Sequence, residues 1–379
     1  MDRDKKIIGV IMSGGGARAA YQVGVLKAIA EILPERVPNP FPVICGASAG
    51  AINAAALAVY ADNFQNAVRR LERVWGNFHV GQVFRTDVRG MVANWGRWWA
   101  SFLRGSSGAQ YPMSMFDRSP LRTLLDRYLP CERIHKAIVE GHLRALSITV
   151  SGYSTGQSVS FFQGLPELAS WQRATQVGAP ALLTVDHLMA SSAIPVVFEA
   201  VRINREYFGD GSMRQMAPIS PALHLGADKV LVIGVRQERS SPSERHGETA
   251  EYPTLAQISG HVLSSIFLDS LEADLDRLRR ANETARLVAG NPHMAHLKHV
   301  EALLISPSKD LGAIATRHRQ HFPRSVRLLL RGLGAGRRSG GDLLSYLLFE
   351  KPYTRELIDL GHHDAMQRRV EIEAFFRDS

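Results

Sequence analysis

Short runs of consecutive apolar residues alternate along this chain with longer stretches in which apolar side chains recur every three or four positions. The first pattern predicts strands buried on both faces and the second predicts helices packed against them, the alternation of an α/β domain with a mainly parallel sheet. Strands are expected at residues 7–12, 43–45, 145–150, 159–162, 196–201, 206–208, 229–235 and 302–305. Two of these pairs are close enough to form hairpins, across residues 152–156 and 203–205, so the sheet is expected to be mixed. A small-residue helix follows Gly16, runs through residues 24–32 and stops at Pro34, and an alanine-rich helix is expected over residues 49–60. Residues 254–287 read as one long amphipathic surface helix. Before it, RQERSSPSERHGETAEYP (236–253) is almost free of apolar side chains and reads as a mobile loop. Beyond residue 305 no further strands are expected, and two terminal helices are, over residues 345–361 and 362–376. The chain therefore divides into an α/β body, residues 1–305, and a basic linker with a C-terminal helical extension, residues 306–379. No repeat of fixed period is present.

Composition changes this picture little. The 379 residues are 45% hydrophobic, enough for one large core or two modest ones. The start, MDRDKKIIGVIM, carries an apolar run over residues 7–12 only, too short for a signal segment or a membrane span, so a soluble, cytoplasmic protein is expected. Cys45 and Cys131 lie far apart and suggest neither a disulfide framework nor a metal site; Cys45 reads as small and buried.

Charge is more informative, because it is uneven. Lys and Arg number 45 against 36 Asp and Glu, and between Asp310 and Asp342 there is no acid but there are seven arginines, among them Arg324, Arg327, Arg331, Arg337 and Arg338. With Leu328 to Leu330 interleaved, residues 317–338 suit either an anionic lipid surface or a solvated helix face followed by a Gly/Arg loop. Neither a zinc-finger spacing nor an RNA-binding aromatic motif accompanies them, and nucleic acid is not expected as a partner.

The candidate chemistry begins at FPVICGASAG, residues 41–50, which sets Ser48 between small residues directly after an apolar run. A strand, a tight G-x-S-x-G turn and a helix present the central serine at a strained apex, where larger neighbours would clash. Gly46 and Gly50 let backbone approach on both sides, and the helix that follows aims its free N–H groups and positive dipole end at any oxyanion formed there. The alternative is a close-packed turn without chemistry. Two further motifs bear on the choice. In MSGGGARAAYQVGVL, the loop Gly14, Gly15, Gly16 follows a strand and precedes a helix, as an anion-cradling loop would. It also fits the dinucleotide fingerprint G-x-G-x-x-A, but that reading requires an acid ending the second strand, and the second strand instead runs into GASAG. No G-K-[ST] follows either. Arg18 is suited to orienting the loop, to neutralising a phosphate head group, or to capping the helix start.

In REYFGDGSMRQ, Asp210 stands at a strand end between Gly209 and Gly211. This is either an ordinary Asp-Gly turn or a presented carboxylate, which works as a base near neutral pH only if an apolar setting raises its affinity for a proton. Histidine is the more usual partner of a serine nucleophile, and 14 histidines are available. Of those after Asp210, His224, His246 and His261 fall in an apolar helix, the loop and the long helix, without a strand-end setting.

GGGARAAYQVGVL, GASAG and DGS, in this order, with ASSAIPVVFEAV before the last, resemble the patatin-like phospholipases over roughly residues 7–235. The resemblance implies a three-layer α/β/α sandwich with a mixed, mainly parallel sheet, and a Ser-Asp dyad without histidine that hydrolyses fatty acyl esters of glycerolipids and phospholipids. It implies Ser48 as nucleophile, Asp210 as base, an oxyanion hole at Gly14, Gly15 and Gly16, and no metal or other cofactor for the chemistry. A non-catalytic lipid- or nucleotide-binding protein using the glycine loop is the alternative. Ala19 and Ser212 depart from the family pattern, which has glycine at the first position and glycine or alanine at the second; both are small, and they bear on substrate fit. NWGRWWASFLRG places Trp95, Trp98 and Trp99 together, either as a membrane-water contact or as rings packed over the core. Met113, Met115 and Phe116 suit an acyl pocket or ordinary core.

Overall fold

A computed structural model describes residues 6–34, 38–85, 114, 116–195, 197–237, 254–287, 299–332 and 341–377. Ten strands form one sheet: β1 Ile8–Met12, β2 Val43–Ala47, β3 Ala145–Gly152, β4 Ser158–Gly164, β5 Trp171–Gln172, β6 Gln176–Pro180, β7 Val201–Ile203, β8 Glu206–Asp210, β9 Lys229–Ile233 and β10 Glu301–Ile305. Thirteen α-helices are described: α1 Ala20–Ile32, α2 Ala49–Val59, α3 Phe64–Trp75, α4 Ser119–Tyr128, α5 Glu132–Val139, α6 Val185–Ser191, α7 Ser220–His224, α8 Leu255–Leu287, α9 Leu311–His318, α10 Arg324–Gly332, α11 Gly341–Leu347, α12 Lys351–Gln367 and α13 Arg369–Arg377.

The sheet runs β10-β9-β1-β2-β3-β4-β6-β5. Its five strands from β10 to β3 are mutually parallel, and β4 turns back antiparallel to β3. Strand β3 is longer than its neighbour: its first five residues pair with β2, and on the same edge its last three pair with β8, which β7 then flanks. Side chains alternate across the sheet, as a strand period of two requires. Val10, Met12, Leu231 and Ile233 enter a core shared with α1, α2, α3 and α12, whereas Ile11, Val43, Val230 and Val232 enter a second core with α7 and α8. Helices therefore cover both faces of a mixed, mostly parallel sheet, a three-layer α/β/α architecture.

Two expectations need correction, and two strands were not expected. Of the strand expected at 196–201, residues 197–200 are not strand and Val196 lies outside the described residues: β7 starts at Val201, and the Phe198 N–H closes a turn on the Ile194 carbonyl at 2.8 Å. The apolar character there serves packing, because Phe198 is buried beside Phe84 and no ladder partner is needed. Strands β5 and β6 are short and partly exposed, and lack the continuous buried apolar run that marks β1, β2 and β9. The C-terminal helices break at Arg368 and not at Gly361, and Pro352 in the first turn opens α12. Residues 238–253, most of the expected loop, lie outside the described residues, as do Trp95, Trp98, Trp99, Met113 and Met115.

Gly361 has a packing reason instead of a terminating one. Helices α1 and α12 cross backbone to backbone: a Cβ on Gly361 would meet the Tyr21 carbonyl, and one on Gly24 would meet the Ile358 carbonyl. Residues 311–377 consequently share the core of the α/β body, with Leu357, Ile358, Leu360 and Ile372 packed into it. Gly361→Ala is expected to lower stability by about 1–3 kcal/mol through overpacking, outweighing the roughly 1 kcal/mol that alanine gains in helix propensity. Urea unfolding checks the sign, and a rise in the midpoint would mean the helices can separate without cost.

Candidate active site

Ser48 follows β2 and caps α2, at φ 52° and ψ −130°. This is a left-handed conformation that a serine tolerates only when its surroundings impose it. The helix start is one such constraint, and a buried hydroxyl is another. The Ser48 N–H donates to Ser191 Oγ at 2.9 Å, and Ser191 in turn donates to the Thr149 carbonyl on β3 at 2.6 Å. Ser191 is wholly buried at the end of α6.

Asp210 arrives from the other strand on the same edge of β3. Ala47, one residue before Ser48, pairs with Thr149, and Asp210 pairs with Val150, the next residue along. Two side chains from distant parts of the chain thus become neighbours through consecutive positions on one strand. The Asp210 N–H donates to the Ala193 carbonyl at 2.9 Å, and its own carbonyl accepts from Ser151 Oγ at 2.8 Å. Its carboxylate is fully buried; Oδ1 accepts the Ser212 N–H at 2.9 Å, while Oδ2 accepts no well-formed hydrogen bond among the described residues. Burial pushes this carboxyl up to about 7, against the opposing pull of Ser48, of the Ser212 N–H and hydroxyl, and of the Arg118 charge. No described histidine is hydrogen-bonded to Asp210: His224 stacks on Trp171 at 4.8 Å, His261 is exposed on α8, and His246 lies outside the described residues.

The glycine loop sits at the end of β1, on the opposite side of β2 from β3. Gly14 and Gly15 lead into a 3-10 turn, Gly16–Ala19, that opens α1. Gly16 has φ +56° and lies so close to the Tyr346 carbonyl that a Cβ would clash with it. Gly46 pairs with Met12 in the sheet, Gly50 lies against the Met12 and Ser13 carbonyls, and Gly211 lies against that of Thr149. These contacts draw the loop, the Ser48 turn and the Asp210 turn to the carboxyl ends of adjacent strands, where open α/β sheets hold ligands.

Arg18 does not face a phosphate site. Its buried guanidinium donates from Nε to Ser345 Oγ at 2.7 Å and from Nη2 to Asp342 at 2.8 Å, and lies 4.3 Å from the centre of the Tyr346 ring. Burial works against its charge, but the Tyr346 and Tyr353 phenols and the Asp342 carboxylate hold its pKa above the usual arginine value. Arg18 therefore fastens the glycine loop to α11.

Several site residues carry no signal in the sequence. Trp75 Nε1 donates to Asn53 Oδ1, Asn53 donates to Gln22 and to the Ala19 carbonyl, and Gln22 donates to the Ser13 carbonyl, a buried chain linking α3, α2 and α1 to the glycine loop. Arg118 is buried too, donating to the Met189 carbonyl at 2.5 Å and to that of Glu199; burial lowers its pKa to about 10. In DRSP it looks like any surface arginine. Ser191 stands in the ASSAIP block, and its hydroxyl has a use that only the fold reveals.

From Ser48 and Gly16 an apolar pocket runs between α2, α3 and α4, walled by Ile52, Leu71, Trp75, Leu125 and, from beyond α11, Phe349. Phe116 packs on Phe84 at 4.4 Å, one ring behind Phe198 of the pocket wall. In the basic segment, Arg317 is taken by Glu356, and α10 buries Val326 and Leu330 while leaving Leu328 exposed. Among the described residues no cluster of three or more His, Cys, Asp or Glu is placed to hold a metal ion, and no helix is long and apolar enough to cross a membrane.

Residues 10–223 match the family model for patatin-like phospholipase, more than half of the chain, and the chain belongs to that family. A comparison with curated proteins found no match. The crystal structure of VipD from Legionella pneumophila aligns with a TM-score of 0.32 and 13% identity over 94% of this chain and 67% of that one, a likeness too low to carry an argument.

Ser191→Ala is expected to cost about 2 kcal/mol of stability, because it leaves the Ser48 N–H and the Thr149 carbonyl buried without this partner. Ser191→Thr, which keeps the hydroxyl, is expected to lose less. Equal losses in urea unfolding would show that the bridge has no weight.

Proposed function

We propose that the protein is a serine-dependent lipid acyl hydrolase of the phospholipase A or lysophospholipase type, with Ser48 as nucleophile and Asp210 as its base. The observation that carries this reading is the fully buried Asp210 carboxylate, with one oxygen uncommitted, next to a serine held in a strained turn. Membership of the patatin-like family and the apolar pocket leading from Ser48 support a lipid substrate.

Asp210 takes the Ser48 proton as the hydroxyl oxygen adds to the ester carbonyl. The N–H groups of Gly15 and Gly16, with Gly14 shaping the loop, receive the oxyanion. Collapse breaks the bond to the alcohol, which leaves with the proton from Asp210 and yields a lyso-lipid and an acyl-serine. Water then gives its proton to Asp210, adds to the acyl carbonyl, and releases fatty acid while Ser48 regains its proton. A base with a pKa near 3.8 would make a poor partner for a hydroxyl; burial improves it. Against the dinucleotide alternative, α11 already occupies one side of the glycine loop through Tyr346 and Arg18. Membrane contact through Trp95, Trp98, Trp99 or residues 317–338 is part of the same proposal.

Ser48→Ala and Asp210→Asn are each expected to lower kcat on a short-chain p-nitrophenyl ester and on phospholipid vesicles by roughly 10³-fold or more, whereas alanine at His224, His246 or His261 leaves it within a few fold. Loss at any one of these histidines would replace the dyad with a triad. Because the base must be ionised, kcat/KM is expected to rise with pH and level off above about 7. The same raised pKa means that the native state binds more protons than the unfolded one between pH 4 and 7, so wild-type stability falls as pH rises across that range. Asp210→Asn lacks that fall, and thermal melts across the range check it.

A further inference from the structure

The pocket has a measurable length, and α2 sets it. Ala49, Ile52, Ala56 and Tyr60 all line it, and their spacing of three and four residues places them on one helix face. The 11 residues of α2 extend about 16 Å. An extended alkyl chain advances about 1.25 Å per carbon, given single bonds of about 1.5 Å, so the trough holds roughly 13 carbons counted from a carbonyl at Ser48. Leu71, Val74 and Trp75 of α3 and Leu121 and Leu125 of α4 keep its other walls apolar.

At the far end the apolar lining stops. The Tyr60 hydroxyl donates to the Tyr128 carbonyl at 3.1 Å, and the guanidinium groups of Arg70 and Arg133 lie 4.5 Å and 4.9 Å from its ring centre. Arg70 also lines the pocket, and Arg70 and Tyr128 are exposed. Tyr60 itself is only 7% exposed, fixed by contacts on several sides. Nearly two thirds of the way along, Ala56 offers nothing larger than a methyl group, and it lies about 10 Å past Ala49 on the helix, or roughly 8 carbons.

We propose that α2 is a chain-length ruler: the pocket takes one extended acyl chain of about 12–14 carbons, Ala56 leaves the channel open near the eighth carbon, and Tyr60 ends it. The inference rests on the hydrolase reading, since the chain is measured from an ester carbonyl at Ser48. Each methylene buried along the trough adds roughly fourfold to kcat/KM. Methylenes beyond Tyr60 meet guanidinium groups and water and add little.

The experiment is an acyl-length series of 4-methylumbelliferyl esters, C4 to C18, dispersed at a fixed mole fraction in cholate, with wild type, Ala56→Phe, the milder Ala56→Leu and Tyr60→Ala. The readout is the chain length at which log kcat/KM stops rising. It is expected near 13 carbons in wild type, near 8 in Ala56→Phe, between them in Ala56→Leu, and beyond 14 in Tyr60→Ala. The same breaks are expected in the Kd of the free fatty acids, measured on each variant with Ser48→Ala added. A break at one common length in all proteins overturns the ruler. Wild type that turns over no ester overturns the hydrolase reading instead, and the fatty-acid Kd series then decides the ruler without turnover. A melting curve for each variant separates a lost fold from a shortened pocket.

Discussion

Everything at the site depends on one edge of one strand. Strand β3 continues three residues past the end of β2, and β8 takes over the vacated pairing positions. Hydrogen-bond register fixes residue positions to within a fraction of a strand repeat, and slipping by one residue would turn the Asp210 side chain to the opposite face. The relation between Ser48 and Asp210 is therefore set by backbone pairing, with no contribution needed from flexible side chains. Ser191 reinforces it from outside the sheet, because its hydroxyl joins the Ser48 N–H to the Thr149 carbonyl on that same strand.

In the proposed mechanism, that arrangement is what would let a carboxylate serve where a histidine is commoner. Asp210 has no cationic partner in hydrogen-bond contact; it has one backbone donor, a buried setting, and Arg118 at a distance held among carbonyl groups. A direct ion pair would have stabilised the charged form and weakened the base. Ser48 and Ser212, and after them the Arg118 charge, lower the carboxyl only part of the way back from the value set by burial, which leaves it near the range where a base functions best. Stability is spent for this, since an ionised buried carboxylate with an unpaired oxygen is costly.

Much of this was legible in the chain. Runs such as IGVIM, VICGA and the VLVI that follows Lys229 carry no charged or amide side chain because both faces of those strands are covered, so their continuous apolar character revealed the central parallel strands. Ser48, the glycine loop and Asp210 were visible because strained turns and close approaches demand small residues, and glycine leaves a mark in a sequence. Strands β5 and β6 were not visible: their pairing is a backbone matter, and WQ and QVGAP are short, partly exposed and broken by glutamine, glycine and proline. Gln22, Asn53, Ser191 and Arg118 were invisible for a related reason, since a polar residue in a helix looks solvated until the fold shows what it faces. Gly361 misled, because glycine ends helices and also lets them touch.

The C-terminal segment is where sequence and structure differ most in emphasis. The family match ends at residue 223, yet the glycine loop is fastened to α11, Gly16 rests against the Tyr346 carbonyl, and Tyr346, Leu347 and Phe349 line the pocket that starts at Ser48. Arg18 is the link: a charge embedded in the loop and held by Ser345, Asp342 and the face of Tyr346 cannot be left behind without exposing or orphaning it. In the proposed hydrolase the loop's N–H groups meet an oxyanion, and such a loop must be rigid before substrate arrives. Here that rigidity is supplied by residues more than three hundred positions away, so the helices after residue 310 belong to the same physical unit as the strands that bear Ser48 and Asp210. Helix α9, which carries Arg317, packs on α11, and any force that displaces α11 acts on the loop and the pocket wall together.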